Sequence, residues 1–199
     1  MAVIHHTTMS PTKTELLAAW LPVQPWYAGD PALEPLLTRV GGFRLDDPEG
    51  EVGMEFMAVA DASGPEPVVY HVPMTYRGAP LDGAEAALIG TSEHGVLGTR
   101  WIYDGAQDPV LTGQLRALFE GRAVAQAQSL SDTPDPTVVV RATGAGAGPG
   151  DGAEPQVVRV LGAGSDTEER RGHVAAAWRL PSGPAEFRGV FAVLAAPGA

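Results

Sequence analysis

The sequence predicts an α+β fold in which curved antiparallel sheets pack against a few helices. Two observations support this fold class. Capping residues precede apolar helical patterns near Thr12 and Asp108, and several short runs of alternating or β-branched residues are typical of strands. Most of these runs follow one another without a helix between them, which favours antiparallel pairing.

The first helix is predicted from Thr12 to Leu21. Thr12 and Glu15 form a T-x-x-E capping box, in which each side chain accepts a hydrogen bond from the backbone of the other residue. Pro22 stops the helix because it cannot continue the hydrogen-bonding pattern. The residues that share its apolar face are Leu16, Leu17, Trp20 and Leu21.

A second helix is predicted after Asp30 and Pro31, which suit the N-cap and first helical positions. It would run for about two turns before Gly41 and Gly42. Its apolar positions are Leu33, Leu36, Leu37 and Val40.

Two strands are predicted next, at 51–60 and 66–77, and the turn residues 61–64 join them into an antiparallel hairpin. Pro73 is expected at an edge or a bulge because it has no N–H for a ladder. A short helical turn at 84–89 and a strand at 99–103 follow.

The longest helix is predicted to begin with Asp108 as N-cap and Pro109 as its first residue, and to end at about Gln128. Its shared face holds Leu111, Leu115, Leu118, Phe119 and Arg122. Strands are then predicted at 137–142, 156–161, 172–179 and 186–194. The glycine-rich segment 143–154 between them is expected to be a mobile loop, because it has no large apolar groups to offset the entropy of ordering. The alternative is a phosphate-cradling loop, but the segment lacks the G-K-[ST] ending of a P-loop.

Composition excludes several kinds of partner. The formal net charge is −11, and Arg170-Arg171 is the one adjacent pair of cations, so nucleic acid and anionic membranes are unsuitable partners. There is no cysteine, and no apolar run approaches the roughly 20 residues that span a bilayer. The first ten residues are too short and too polar for a signal peptide, so a cytoplasmic location is expected.

No catalytic or metal-binding set is predicted. The five histidines lack the H-x-x-x-H spacing that brings two imidazoles to one metal ion. Ser92, Glu93 and His94 are neighbours in a glycine-bracketed loop, but no G-x-S-x-G element accompanies them. Asp104 and Asp108 are explained as a turn residue and an N-cap rather than as a catalytic pair. No cofactor is predicted.

Two stretches resemble the N-terminal lobe of actinobacterial maltokinases: LPVQPWYAG at Leu21–Gly29 and the run from Val72 to Val110, which contains Y-D-x-x-x-D-P. The resemblance implies a cap-like subdomain at 1–90 and an intermediate-like subdomain at 91–199, which holds the helix 108–128 and then antiparallel strands.

The resemblance also indicates candidate ligand residues. Trp26 and Tyr27 match the W-[YF]-x-G element of the family, where they serve either as an aromatic plug between helix and sheet or as a stacking surface for a ligand. Arg159 falls where these kinases carry their phosphate-contacting lysine, which makes it a weak candidate for nucleotide binding. A groove near Trp26, Arg77 and Arg159 would hold a sugar or a nucleotide.

The function implied is non-catalytic, because no H-x-D or other kinase catalytic motif occurs and the catalytic lobe is expected to be missing. We expect an interaction or regulatory module of maltose and α-glucan metabolism, including glycogen and trehalose, with a protein of that metabolism or a second copy as partner. The alternative is a small-molecule-binding protein for a sugar or nucleotide. A third hypothesis is an enzyme, either a kinase half completed by another chain or an unrelated hydrolase.

Overall fold

The structure is a computed structural model that describes residues 8–142, 153–162 and 172–195. It is mostly antiparallel sheet with two short helices, which confirms the predicted α+β class. The helices are α1 (Lys13–Trp20) and α2 (Pro109–Phe119). The strands are β1 (Met9–Ser10), β2 (Leu37–Leu45), β3 (Gly53–Asp61), β4 (Val68–Arg77), β5 (Leu88–His94), β6 (Gly98–Asp104), β7 (Val139–Ala142), β8 (Glu154–Val157), β9 (Gly172–Arg179) and β10 (Glu186–Ala195).

The strands form one sheet in the order β1-β5-β6-β4-β3-β2-β9-β10-β8, with β7 paired to β9 off this path. All of the pairings are antiparallel. The path is open, because β1 and β8 stand at its ends. Within the described ranges, no helix is both long and apolar enough to cross a bilayer.

Helix α1 begins as its sequence predicts. The Glu15 backbone N–H donates to the Thr12 hydroxyl, and the Thr12 backbone N–H donates to the Glu15 carboxylate at 2.7 Å, which completes the capping box. The helix buries Leu17 and Trp20 and continues as one 3-10 turn, Leu21–Val23. The predicted capping and apolar face are therefore confirmed.

The predicted hairpin is also confirmed, and its first strand is covered on both faces. On one face of β3, Phe56 and Ala58 belong to the same core as Leu111 of α2. On the other face, Met57 and Val59 belong to the core that α1 covers. Two apolar cores therefore lie on opposite sides of the centre of the sheet.

Pro73 lies inside β4 rather than at an edge strand or a bulge. It stands opposite Phe56 of β3, whereas the ladder between β4 and β6 begins only at Met74. Because peptide groups alternate along a strand, the nitrogen of residue 73 faces the same side as the N–H of His71. On that side of β4, β6 pairs with the strand from Met74 onward, and residues 159–161 bond to Val69 and His71. The nitrogen of Pro73 falls between these two partners, so its missing N–H removes no hydrogen bond from the sheet.

The helix predicted after Asp30 is wrong. Asp30 does accept a hydrogen bond from the Ala32 N–H at 2.9 Å, but only a turn follows, and the chain then enters β2. Pro35 explains the error, since proline disfavours the helical conformation of Glu34 before it and removes a helical donor. Of the apolar residues predicted for this helix, Leu33 lies in the turn, Leu36 lies in the segment before β2, and Leu37 and Val40 lie in β2.

Helix α2 is shorter than predicted because it ends in a Schellman motif. Gly121 has a φ of 71°, its N–H donates to Leu118 O, and the Arg122 N–H donates to Ala117 O at 2.8 Å. Arg122 therefore lies beyond the helix and pairs with Glu120. The remaining four residues of the predicted face are buried: Leu111, Leu115, Leu118 and Phe119.

Residues 158–161, which we call the return segment, run from β10 to β4. The Val158 N–H donates to Phe191 O at 2.9 Å, and the Leu161 N–H donates to Val69 O at 2.8 Å. The predicted strand at 156–161 is thus only partly correct, because β8 ends at Val157 and the return segment makes one isolated bridge, between Val160 and Tyr70.

Other expectations had mixed outcomes. Strand β6 and the last two strands match their predictions closely, but β5 was missed, since the predicted turn at 84–89 is a 3-10 turn, Glu85–Ala87, that leads directly into it. The loop prediction for 143–154 falls almost entirely outside the described residues. The division at residue 90 stays a prediction, and residue 90 lies within β5.

Candidate functional site

The Y-D-x-x-x-D-P segment joins β6 to α2 and carries two buried carboxylates. Asp108 is the N-cap of α2, because its carboxylate accepts from the Val110 N–H at 2.9 Å. It also accepts two hydrogen bonds from the Arg77 guanidinium, both at 2.7 Å, and one from the Thr75 hydroxyl at 2.8 Å. The cap was predicted, whereas its ion pair with Arg77 was not.

The hydrogen bonds to the Asp108 carboxylate together outweigh the effect of its burial. Burial alone would raise the pKa of the Asp108 carboxyl, but the hydrogen bonds from Arg77 and Thr75 hold it below its ordinary value. The same contact raises the pKa of Arg77. The pair is therefore charged at neutral pH and closed by a bidentate contact, the strongest geometry for these two groups.

Asp104 is held in the same way by an arginine that is distant in sequence. Arg159, in the return segment, donates to the two carboxylate oxygens of Asp104 at 3.0 and 2.6 Å. Its guanidinium also lies 4.8 Å from the centroid of the Trp26 ring, a cation–π contact. Arg159 thus connects the return segment to both the β6–α2 connection and the Trp26-Tyr27 element.

Trp26 and Tyr27 pack against the α1 side of the sheet. The Tyr27 ring stacks on Tyr70 at 5.4 Å, and its hydroxyl donates to Asp61 at 2.9 Å. Burial and Asp61 together raise the pKa of Tyr27 to about 12. Trp26 meets Trp20 at 5.6 Å. These contacts fit the interpretation of an aromatic plug between helix and sheet.

A cavity lies between α1, the start of β3, the end of β4 and the β5–β6 turn. We call it the Glu55 cavity, and its volume is about 990 Å³. The Glu55 carboxylate forms part of its wall and accepts hydrogen bonds from Lys13 at 2.5 Å, Tyr76 at 2.7 Å and Gln128 at 3.0 Å. The lining also includes Asp47, Glu51, Arg44, Arg77, Gly78 and Arg100.

The Glu55 network is ionised in spite of its depth. Burial would raise the pKa of Glu55, but the Lys13 ammonium and the Tyr76 hydroxyl keep it below its ordinary value. Burial and the neighbouring Glu55 raise the pKa of Tyr76 well above its ordinary value. Tyr76 therefore stays a hydrogen-bond donor to Glu55 at physiological pH.

The predicted ligand residues divide between two places. Arg77 lines the Glu55 cavity, whereas Trp26, Tyr27 and Arg159 lie in the cluster around Asp104 and Tyr70. Sequence reasoning did not identify Glu55 as a site residue. The signal was available, since Glu55 is the one charged residue in the otherwise apolar run Met54–Ala60.

The Ser92-Glu93-His94 group does not form a catalytic arrangement. The Ser92 hydroxyl donates to Pro11 O at 2.7 Å, and Glu93 accepts from the Thr99 hydroxyl at 2.6 Å. The Nδ1 atom of His94 accepts from the backbone of the β5–β6 turn. No three acidic or histidine side chains among the described residues come together to hold a metal ion.

The fold and these contacts define a small α+β domain whose buried charges are mostly paired with one another. Residues 20–108 match the family model of the maltokinase N-terminal cap domain, which confirms over these residues the resemblance predicted from the sequence. The match includes Trp26, Tyr27, Arg77 and both aspartates of the Y-D-x-x-x-D-P segment. A search of curated proteins finds no match.

Proposed function

We propose that this chain acts by binding rather than by catalysis, as an interaction or regulatory module linked to maltose and α-glucan metabolism. The observation that supports it is the pairing of its buried carboxylates. A general base or a metal ligand needs a free carboxylate oxygen facing the reactants. Asp104 and Asp108 instead each hold an arginine through bidentate contacts.

The link to α-glucan metabolism rests on the match to the maltokinase N-terminal cap domain. The proposed partner is a protein of that metabolism or a second copy of this chain, and the proposed compartment is the cytoplasm. The paired arginines also weaken the nucleotide hypothesis for Arg159, because its guanidinium already binds Asp104 and covers Trp26.

A phosphotransfer assay tests the non-catalytic part. Purified chain is incubated with ATP, Mg²⁺ and either maltose or glucosamine, and sugar phosphate is measured. We expect no product above a protein-free reaction. Product that is lost in Asp104→Asn but kept in the surface control Glu186→Gln would show catalysis and overturn the proposal.

Binding requires its own measurement. Light scattering reports self-association, and chemical cross-linking in native extract followed by mass spectrometry identifies a partner. An unrelated acidic protein of similar size controls for ionic adsorption. A defined complex with an α-glucan enzyme, or a dimer, supports the proposal, whereas a monomer with no such complex contradicts it.

A second candidate function is small-molecule binding, and the observation that favours it is the Glu55 cavity with Arg77 in its wall. A ligand that binds only the folded state raises its stability by RT ln(1 + [L]/Kd). A thermal-shift screen with ATP and Mg²⁺, maltose, glucosamine, trehalose and glycogen oligosaccharides tests this. Tryptophan fluorescence is unsuitable for this cavity, since none of the four tryptophans lines it.

A further inference from the structure

We propose that the Glu55 cavity binds a small molecule through a phosphate or sulfate group. This inference is independent of the phosphotransfer result and of the partner search. The first argument is charge. Four of the 13 lysines and arginines of the chain line this cavity, although the whole chain has a net charge of −11; three of the four are paired with a carboxylate, and among the described residues Arg100 is not. The four cations are Lys13, Arg44, Arg77 and Arg100.

Arg100 supplies the second argument, because it is the one cation of the lining that pairs with no carboxylate among the described residues. Its Nη2 donates to Leu97 O, but its Nε is buried and makes no hydrogen bond. The Nε atom has no surface that a ligand could reach, so a ligand in the cavity would contact the guanidinium through its Nη atoms. An anionic group there would supply the counter-charge that Arg100 lacks.

Two neighbouring cations have donors to spare toward the same space. The contact of Arg77 with Asp108 uses Nε and Nη2, and among the described residues nothing binds its Nη1. The Lys13 ammonium has three protons and donates one hydrogen bond, to Glu55. Donors from α1, β4 and β6 therefore line one cavity.

The carboxylates of the cavity are already satisfied by donors. Glu55 accepts from Lys13, Tyr76 and Gln128, while Asp47 accepts from the backbone N–H groups of Glu49, Glu51 and Val52 at 3.0 to 3.1 Å. Glu51 is exposed to solvent. These contacts reduce the repulsion that the carboxylates exert on a bound anion. The lining therefore offers more unused hydrogen-bond donors than unused acceptors.

An uncharged sugar is a poorer match. Sugar sites usually offer the face of a tryptophan, tyrosine or phenylalanine ring, and Tyr76 is the one such residue in this lining. Its ring is already covered by the Lys13 ammonium, which lies 5.0 Å from the ring centroid. The lining thus presents donors without a free stacking surface, which favours an anionic group.

Calorimetry and thermal shift with three probes test the site: inorganic phosphate, glucose 6-phosphate and glucose. We expect saturable binding of the two phosphates, weakened by added salt, and none of glucose. Equal binding of glucose and glucose 6-phosphate, or no saturable binding of either phosphate, would overturn the proposal.

Two variants locate the binding. Arg100→Gln removes the cation, and Gly78→Ala places a methyl group 2.8 Å from Arg100 Nη1, which pushes the guanidinium aside while keeping its charge. We expect Arg100→Gln to weaken glucose 6-phosphate binding by about tenfold or more, the typical value of a charged hydrogen bond, and Gly78→Ala to weaken it less. The control Arg179→Gln alters an exposed pair on β9 and should leave binding unchanged. Equal effects of Arg100→Gln and Arg179→Gln would show that the anion does not use this site, and circular dichroism checks that each variant folds.

Discussion

The two arginine–aspartate pairs look alike but differ in what they join. In both, the aspartate is almost fully buried and the arginine side chain is 18% exposed. Arg77 and Asp108 connect β4 to the first turn of α2, two regular elements that also share a core. Arg159 and Asp104 instead connect the irregular return segment to the β6–α2 connection. The same chemistry therefore stabilises a helix start in one place and holds an irregular segment in the other.

Removing Asp108 should have the largest effect. Asp108→Ala deletes the N-cap of α2 and leaves the Arg77 guanidinium without its carboxylate, so we expect a loss of about 4 kcal/mol in the free energy of unfolding. Urea denaturation measures it. Asp108→Asn keeps a cap acceptor and should lose less. A loss under about 1 kcal/mol for Asp108→Ala would mean that the pair stabilises the fold no more than an exposed ion pair does.

Removing Arg159 should cost less and act more locally. Arg159→Ala leaves Asp104 buried without its cation, and we expect a loss of about 3 kcal/mol. Hydrogen exchange should become faster at the His71 and Leu161 amides, which bond across the return segment, and stay slow in the centre of α2. Equal acceleration in both places would show that the two pairs belong to one cooperative unit.

Acid should weaken the return segment through His71. This side chain is fully buried, lies 4.6 Å from the Phe191 ring, and donates from Nδ1 to Val158 O at 2.9 Å. Burial lowers the pKa of His71 to about 3. The folded state therefore keeps His71 neutral, while the unfolded chain binds a proton below its ordinary pKa of 6.5, so stability falls as the pH drops from 6.5 toward 3.

Between pH 7 and 5 this one group should remove about 2 kcal/mol. His71→Asn keeps a donor near Nδ1 and removes the titration. It will be less stable at pH 7, but its decline between pH 7 and 5 should be shallower than that of the unchanged chain. Parallel declines would show that His71 is not the group responsible.

The smallest effect is expected at an exposed pair that serves as a reference. Arg179 and Glu186 connect β9 to β10, and their side chains are 63% and 45% exposed. Glu186→Gln should change the free energy of unfolding by less than about 0.5 kcal/mol, because exposed ion pairs are weak. A loss comparable to that of Arg159→Ala would mean that burial does not determine how much each ion pair contributes to the free energy of unfolding.

Features of the fold that depend on nearby residues could be predicted from the sequence. The Thr12–Glu15 capping box, the Asp108 cap and the hairpin of β3 and β4 each involve residues close in the chain. Two errors came from local signals that were present but overlooked: Pro35 prevents the helix predicted after Asp30, and Gly121 ends α2.

The site was harder to predict because its contacts are long-range. Asp104 and Arg159 are 55 residues apart, and Lys13 and Glu55 are 42 apart. The residues that surround each of these side chains in the sequence do not indicate which distant residue it contacts. Asp108 could be recognised as a cap, but its bond to Arg77 requires knowing that β4 passes beside the start of α2. Arg159 was placed by resemblance alone, and its contact with Trp26 became visible only in the fold.

The burial of β3 on both faces has a consequence for the unfolded chain. Once the native neighbours are gone, Met54–Ala60 is an extended apolar stretch of the kind that pairs between molecules. Glu55 is the one charge that interrupts it, a position where natural sequences place residues that discourage such pairing. Refolding of Glu55→Gln should therefore yield more aggregate at high protein concentration than refolding of Lys13→Met, which breaks the same ion pair but leaves this stretch charged.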